Sequence, residues 1–288
     1  MTHPLDTALA VRSDLVRKGI AYALQAPRAL RGLTASVEDY QRHPPIVVNS
    51  IPKSGTHLLL QVARSLPGTR YYGSFLAWAS SRDLVARSPG RMAFHAGRIV
   101  PGEVLGAHIH HQGAVAERLA GMGALHAFII RDPVDALLSE AHYLGEMAPY
   151  HRMAGEFRPL GPDERIEAAL KGSTRHPDLY PGFRARLAPY LPWLEETGVH
   201  VVRFETLRAR PAHAIGSLLE AWRARLPAPA RPDAAGMDRL MQQAITAIAP
   251  DRSHTASHRQ REPVDAVARR LAAEPDIRAL RRALGYSD

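Results

Sequence analysis

The run IVVNSIPKSGTHLLL, Ile46 to Leu60, constrains this chain more than any other stretch. Ile46 to Val48 are β-branched or apolar without interruption, the pattern of a strand buried on both faces. The apolar run breaks at Pro52, Lys53, Ser54, Gly55 and Thr56. Leu59, Val62, Ala63 and Leu66 then recur at i, i+3, i+4 and i+7, which predicts an amphipathic helix starting near Thr56. A strand that feeds a helix through a short Gly-containing turn points free backbone N–H groups at one spot, and the helix dipole adds partial positive charge there. Lys53 adds a full charge, and Ser54 and Thr56 add hydroxyls, so the turn suits a phosphate or a sulfate.

The nucleoside-triphosphate motif G-x-x-x-x-G-K-[ST] is absent, because Lys53 precedes Gly55 instead of following it. Of 37 basic residues only Lys18, Lys53 and Lys171 are lysines, so the default cation of this chain is arginine. A flexible point charge in the turn suits a group that follows a moving anionic oxygen. The plainer alternative is a solvated turn lysine.

With 288 residues, 45% of them hydrophobic, the chain can build one substantial core, and nothing demands a second globular domain. Residues 1–45 are set apart as a helical arm packing on the core, and 46–288 as an α/β domain. The net charge of +9 is scattered, with no block of like sign and no aromatic ladder, which argues against nucleic-acid binding and fits an anionic ligand. Without cysteine, disulfides, thiolate metal sites and cysteine nucleophiles are excluded. Asp6, Arg12 and Asp14 interrupt the N-terminal apolar runs, unlike a secretory signal or a membrane span, and the expected location is cytoplasmic.

In the arm, Leu9, Val16, Ile20 and Leu24 share a helix with Arg12, Arg17, Lys18, Arg28 and Arg31. The expectation is that this apolar stripe packs on the domain's own core, with contact to an anionic membrane surface as the alternative. From Thr69 to Gly102 the pattern is irregular, and Tyr71, Tyr72, Phe75, Trp78 and Phe94 suit either a pocket lining or satellite core. Glu103 to His108 predicts a short strand, Ala124 to Ile130 a buried one, and Val199 to Arg203 a further one. After Arg131, Asp132 and Pro133 form an N-cap and first helical position, and Val134, Leu137, Leu138 and Ala141 give the helix its buried face. Residues 145–182, rich in Gly and Pro, predict a long surface excursion with one short helix near Asp163 to Lys171. Strands alternating with helices predict a parallel sheet flanked by helices on both faces. Lys53, His108, Arg131 and Arg203 each follow a strand and converge on its carboxyl edge, where ligands gather.

Four segments together resemble the family of sulfotransferases that use 3′-phosphoadenosine 5′-phosphosulfate, over most of the chain from Ile46 onward. PKSGT, Pro52 to Thr56, is similar to the family's 5′-phosphosulfate loop; RDPVDALLSEAHY, Arg131 to Tyr143, is similar to its 3′-phosphate segment. GAHI, Gly106 to Ile109, resembles the strand that carries its catalytic base, and VVRFETL, Val201 to Leu207, a segment near the adenine. The resemblance implies a P-loop-type α/β fold and a sulfuryl transfer to a small-molecule, lipid or carbohydrate acceptor. It implies Lys53 on the bridging and sulfuryl oxygens, with Pro52, Ser54, Gly55, Thr56 and His57 lining the 5′-phosphate. Arg131 and Ser139 then hold the 3′-phosphate, Phe204 lies near the adenine, and His108 is the base. The chain departs from the family pattern at three places. Leu58 replaces the usual Trp, Gly106 a frequent Lys, and His258, Arg259, Gln260 and Arg261 stand where glycines are usual, with Arg259 as a further 3′-phosphate contact.

In-line displacement of this kind needs positioning and positive charge, and it needs no metal. Histidine suits the proton acceptor near neutral pH. His108 and His110, two apart, would face one side of a strand and could instead bind a metal, or His108 could be a structural histidine. A P-loop kinase of a small molecule and a nucleotide-binding protein without transfer activity are the rival functions. No sequence feature names the acceptor or an oligomeric state.

Overall fold

The computed structural model describes residues 3–6, 14–248 and 264–287. Helices α1 (Asp14–Ala23), α2 (Gln25–Thr34) and α3 (Val37–Arg42) precede strand β1 (Ile46–Ser50) and helix α4 (Thr56–Arg64). Then come β2 (Phe75–Ala77), α5 (Pro89–Ala96), β3 (Val104–His108), α6 (Gly113–Gly121), β4 (Leu125–Ile130) and α7 (Pro133–His142). Helices α8 (Ala154–Phe157), α9 (Pro162–Lys171) and α10 (Phe183–Leu187) lead to β5 (Val199–Arg203). The described chain ends with α11 (Phe204–Ala209), α12 (Pro211–Arg223), α13 (Ala234–Ala247), α14 (Val264–Ala273) and α15 (Pro275–Ala283).

The five strands form one parallel sheet in the order β2-β3-β1-β4-β5. Central β1 pairs with β3 (Val47 beside Leu105) and with β4 (Val48 beside Ala127). Because strand side chains alternate, each strand feeds two cores. Val47, Leu105, Phe128 and Ile130 pack with Met92, Leu119, Leu137 and Trp193 on one face; Ile46, Val48, Val104 and Ile129 pack with Leu59, Val62, Ile215 and Trp222 on the other. Helices therefore cover both faces, and every residue of β1 and β4 is buried.

Residues 145–182 differ from the surface excursion predicted for them. Met153, Phe157, Ala169 and Tyr180 are buried and belong to the first core. Glycine and proline here shape short helices that turn back into the protein, and composition alone cannot separate that from exposure. The irregular stretch from Thr69 to Gly102 contains edge strand β2, only three residues long. In the arm, Val16, Ile20 and Leu24 are half-buried, whereas α2 buries none of its residues. Polar bonds fasten it: Gln25 Nε2 donates to the Tyr72 carbonyl at 3.3 Å, and Arg28 Nε pairs with the buried Glu103 carboxylate at 2.8 Å.

Two polar residues end the otherwise apolar β1, and both are fully buried. Asn49 Oδ1 accepts from the backbone N–H of Ile109 at 2.9 Å, and its Nδ2 donates to the Ile109 carbonyl at 3.2 Å. Trp193 Nε1 donates to that same carbonyl at 2.8 Å. The amide thus clamps the residue after His108 to the end of the central strand. Asn49→Ala leaves the Ile109 N–H buried and unpaired, so the expected loss of stability is about 1–3 kcal/mol, read as a lower thermal midpoint by circular dichroism. An unchanged midpoint would show that the clamp contributes nothing.

Candidate active site

The turn after β1 is built from an unusual backbone. Lys53 adopts φ 68°, a left-handed conformation that few non-glycine residues take, and Gly55, which precedes α4, has φ 94°. Gly55 has a second reason to lack a side chain, since a Cβ there would lie 2.4 Å from Cδ2 of Phe204. The aromatic ring of α11 therefore packs directly on the turn. Ser54 is fully buried, yet its Oγ has no hydrogen-bond partner. His57, on the first turn of α4, is exposed, and Leu58 is buried in the second core.

Arg131, just beyond β4, closes the turn from the other side. Its Nη1 donates to the Lys53 carbonyl at 3.3 Å, its Nη2 lies 3.5 Å from Asp135 Oδ2, and its guanidinium sits 4.5 Å from the Phe204 ring centre. Its Nε is buried and unpartnered. Asp132 caps α7 by accepting from Val134 N–H at 2.9 Å, and its own N–H donates to Glu205 at 2.9 Å. Further along α7, four residues apart on one stripe, come Asp135, buried Ser139 and then Tyr143, whose ring lies 3.9 Å from Lys53 Nζ. One end of the stripe meets Arg131 and the other meets Lys53, which sets Ser139 between the two cations. A single π-helical turn, Tyr143–Met147, follows at once.

Lys53 titrates at about 8, because burial disfavours its charge; Glu140 pulls it up and Arg131 pushes it further down. His108 ends β3 with Nδ1 3.0 Å from both the carbonyl and the hydroxyl of Ser50, and the Ser50 Oγ lies 2.6 Å from Thr56 Oγ1. Its pKa is pushed down to about 4, first by burial and then by the Lys53 charge, against an opposing hydrogen bond to the Ser50 backbone. The imidazole is therefore neutral near pH 7. With Nδ1–H donating to the Ser50 carbonyl, as that network requires, the lone pair falls on Nε2.

Phe75 packs edge-on to His108 at 4.9 Å between ring centres. A Cβ at Gly106 would lie 2.8 Å from that ring, so Phe75 occupies the space a longer side chain at 106 would need. Phe75 also borders a cleft of about 310 Å³ with Tyr22, Gln25, Arg28, Leu76 and His95, between the arm and the sheet edge. His110 lies beyond the end of the strand, so the shared side expected of it and His108 does not arise. It stacks on Trp78 at 4.4 Å and meets Tyr190 edge-on at 4.7 Å. Among the described residues, no group of three or more His, Asp or Glu side chains could hold a metal ion.

The structure thus gathers Pro52 to Thr56, His108, Arg131, Ser139 and Phe204 at one sheet edge. Arg203 ends β5 beside Ile130 at this edge, as expected, and its side chain donates to the carbonyls of Leu284 and Gly285 at 2.8 and 3.1 Å and holds the C-terminal turn. Arg259 lies outside the described residues. Phe75, one of the aromatics suited to a pocket lining, packs on His108, while Ser50 and Tyr143 join the site without a role expected from the sequence; for Ser50 the signal is a polar pair, Asn49-Ser50, inside an apolar run.

No family model matches the chain. No curated protein matches it either. Among solved structures it is similar to mouse sulfotransferase SULT7A1 complexed with PAP, over 73% of this chain and 68% of that one, with 15% sequence identity and a TM-score of 0.45. Similarity at this level says nothing about activity.

The packing of Phe204 on Gly55 is directly testable. Gly55→Ala combines a left-handed backbone with a clash against the ring, so a loss of about 2 kcal/mol or more is expected in urea denaturation. Retention of full stability would mean that the ring does not rest on the turn.

Proposed function

We propose that this chain is a sulfotransferase that moves a sulfuryl group from 3′-phosphoadenosine 5′-phosphosulfate to a hydroxyl, or an amine, of a small-molecule, lipid or carbohydrate acceptor. The observation that most supports this is a pair of buried, unpartnered polar atoms on the two sides of Lys53, Ser54 Oγ and Arg131 Nε. Each costs roughly 1–3 kcal/mol while unpaired, and hydrogen bonds to a bound anion would offset that cost.

In this reading Pro52, Lys53, Ser54, Gly55, Thr56 and His57 hold the phosphosulfate end. Arg131 and Ser139 take the 3′-phosphate, and Phe204 packs near the adenine in place of the aromatic that Leu58 lacks. When bound, the nucleotide supplies an activated sulfuryl group with its own leaving group. Lys53 Nζ, on a flexible stem that can leave the Tyr143 ring, and the N–H groups of the turn stabilise negative charge that develops in transfer. Comparable groups contribute roughly 3–4 kcal/mol. His108 accepts the acceptor's proton at Nε2, while Ser50 fixes the ring and the tautomer.

Adenosine 3′,5′-bisphosphate should raise the melting temperature without Mg²⁺, by the equivalent of about 2.7 kcal/mol at a hundred times its dissociation constant. Stabilisation by Mg·ATP alone would rule out sulfotransfer. His108→Ala should lower turnover by about 100-fold or more while that stabilisation persists, and normal turnover would remove His108 from the chemistry.

The pH dependence follows from the two shifted groups. Below about 4 His108 is protonated and cannot accept a proton; above about 8 Lys53 is neutral and its stabilising charge is lost. kcat/KM should therefore be flat between these values. An acid limb at the ordinary histidine value of 6.5 would contradict a buried neutral base.

A further inference from the structure

The last helix, α15, ends against the residues that adjoin Arg131 and Phe204. Arg203, which closes β5, donates to the carbonyls of Leu284 and Gly285, and its guanidinium lies 4.5 Å from the Tyr286 ring centre. Gly285 takes the left-handed φ of 70° that commonly ends a helix, and a Cβ there would stand 2.8 Å from Arg203 Nη2. Ile277, Leu280 and Leu284 are buried in the first core, so packing already holds the helix in place. Its polar side chains then meet two carboxylates. Arg281 Nε donates to Asp132 Oδ2 at 3.2 Å, and the Tyr286 hydroxyl donates to Glu205 Oε2 at 2.8 Å. Burial and then the Glu205 charge raise the Tyr286 pKa, so that hydroxyl keeps its proton. The remaining oxygens are occupied as well: Asp132 Oδ1 accepts from the Val134 N–H, and Glu205 Oε1 accepts from the Asp132 N–H.

We propose that Arg281 and Tyr286 are positioning residues for the nucleotide: by engaging Asp132 and Glu205 they keep both carboxylates off Arg131 and leave its guanidinium to the 3′-phosphate. The inference rests on the sulfotransferase reading of the site. Asp132 directly follows Arg131 in the chain, and Glu205 directly follows Phe204, the ring on which the Arg131 guanidinium lies. An unpaired carboxylate is the strongest competitor for a guanidinium, and its charge repels a phosphate. Yet Arg131 Nε is buried and without a partner among the described residues, and the acid that meets this guanidinium is Asp135, at 3.5 Å. The two carboxylates on the adjoining residues are taken up by α15 and the turn after it, and Glu140 on α7 is taken up by Arg186 at 2.9 Å. Arg203 belongs to the same device. The strand pattern brings it to this edge, and its side chain holds the turn that presents Tyr286.

Calorimetric titration of the full chain with adenosine 3′,5′-bisphosphate and with adenosine 5′-monophosphate tests this, because the ratio of the two dissociation constants reads the 3′-phosphate contact. Arg281→Gln should cut the preference for the bisphosphate by about tenfold, and Tyr286→Phe by about threefold, with binding of the monophosphate unchanged. An unchanged melting curve checks that the variants remain folded. Should Arg281→Gln fail to fold, Tyr286→Phe, which deletes a single oxygen, carries the test. A wild-type preference that the folded variants keep in full would overturn the proposal alone. So would an equal loss for the two ligands, the mark of a purely structural role. A wild-type chain that binds the two ligands equally, or binds neither, would overturn the sulfotransferase reading and the proposal with it.

Discussion

Ser50 is where the parts of this site are tied together. Its hydroxyl lies within hydrogen-bond distance of Thr56, which opens α4, and of His108, which ends β3; its carbonyl faces the same imidazole nitrogen. The phosphate-type turn and the histidine are therefore fixed relative to each other by one residue at the end of the central strand. Asn49, its neighbour, locks the following residue of β3 into the same register. Parallel pairing alone would bring the two strand ends to one edge, with looser side chains. A buried network with every member satisfied turns adjacency into a fixed geometry.

Against this rigid frame, the cationic side of the site is left incomplete. Glu140, the acid that most favours the charge on Lys53, already pairs with Arg186 at 2.9 Å. Asp135 reaches only one end of the Arg131 guanidinium, and at 3.5 Å it is a weak partner. The ammonium of Lys53 rests on an aromatic face, which holds a cation less firmly than a carboxylate would. Two half-buried cations with weak partners leave an excess of positive potential, and an anionic guest is the natural complement. Burial lowers the pKa of both Lys53 and His108 first, and neighbouring positive charge, Arg131 for Lys53 and Lys53 for His108, lowers each further.

How much was legible in the sequence follows from where each constraint is written. β1 and β4 are buried on both faces, so their composition alone marks them, and the turn between β1 and α4 carries its own chemistry. β2 is three residues on the sheet edge, too short for periodicity to register. The segment after α7 reads as surface because glycine and proline report local bends; that Phe157 and Tyr180 return to the core is a tertiary fact. Pairs such as Phe204 on Gly55, or Phe75 over Gly106, join residues far apart in the chain. The glycines are visible in the sequence, but not the rings that require them.

The arm shows the same limit in sharper form. An amphipathic pattern says that a helix has two faces, and the default expectation sends the apolar one inward. Here a buried carboxylate reverses that preference for α2. Glu103 is fully buried and would be strongly destabilising without a cation, so Arg28 must point inward, and the rest of the helix follows. One ion pair thus outweighs the exposure of Leu30 and Leu33. The same helix places Gln25 on the carbonyl of Tyr72 and on Ser74, immediately before Phe75. Phe75 in turn covers His108, so the burial that keeps the imidazole neutral depends in part on where the arm is anchored.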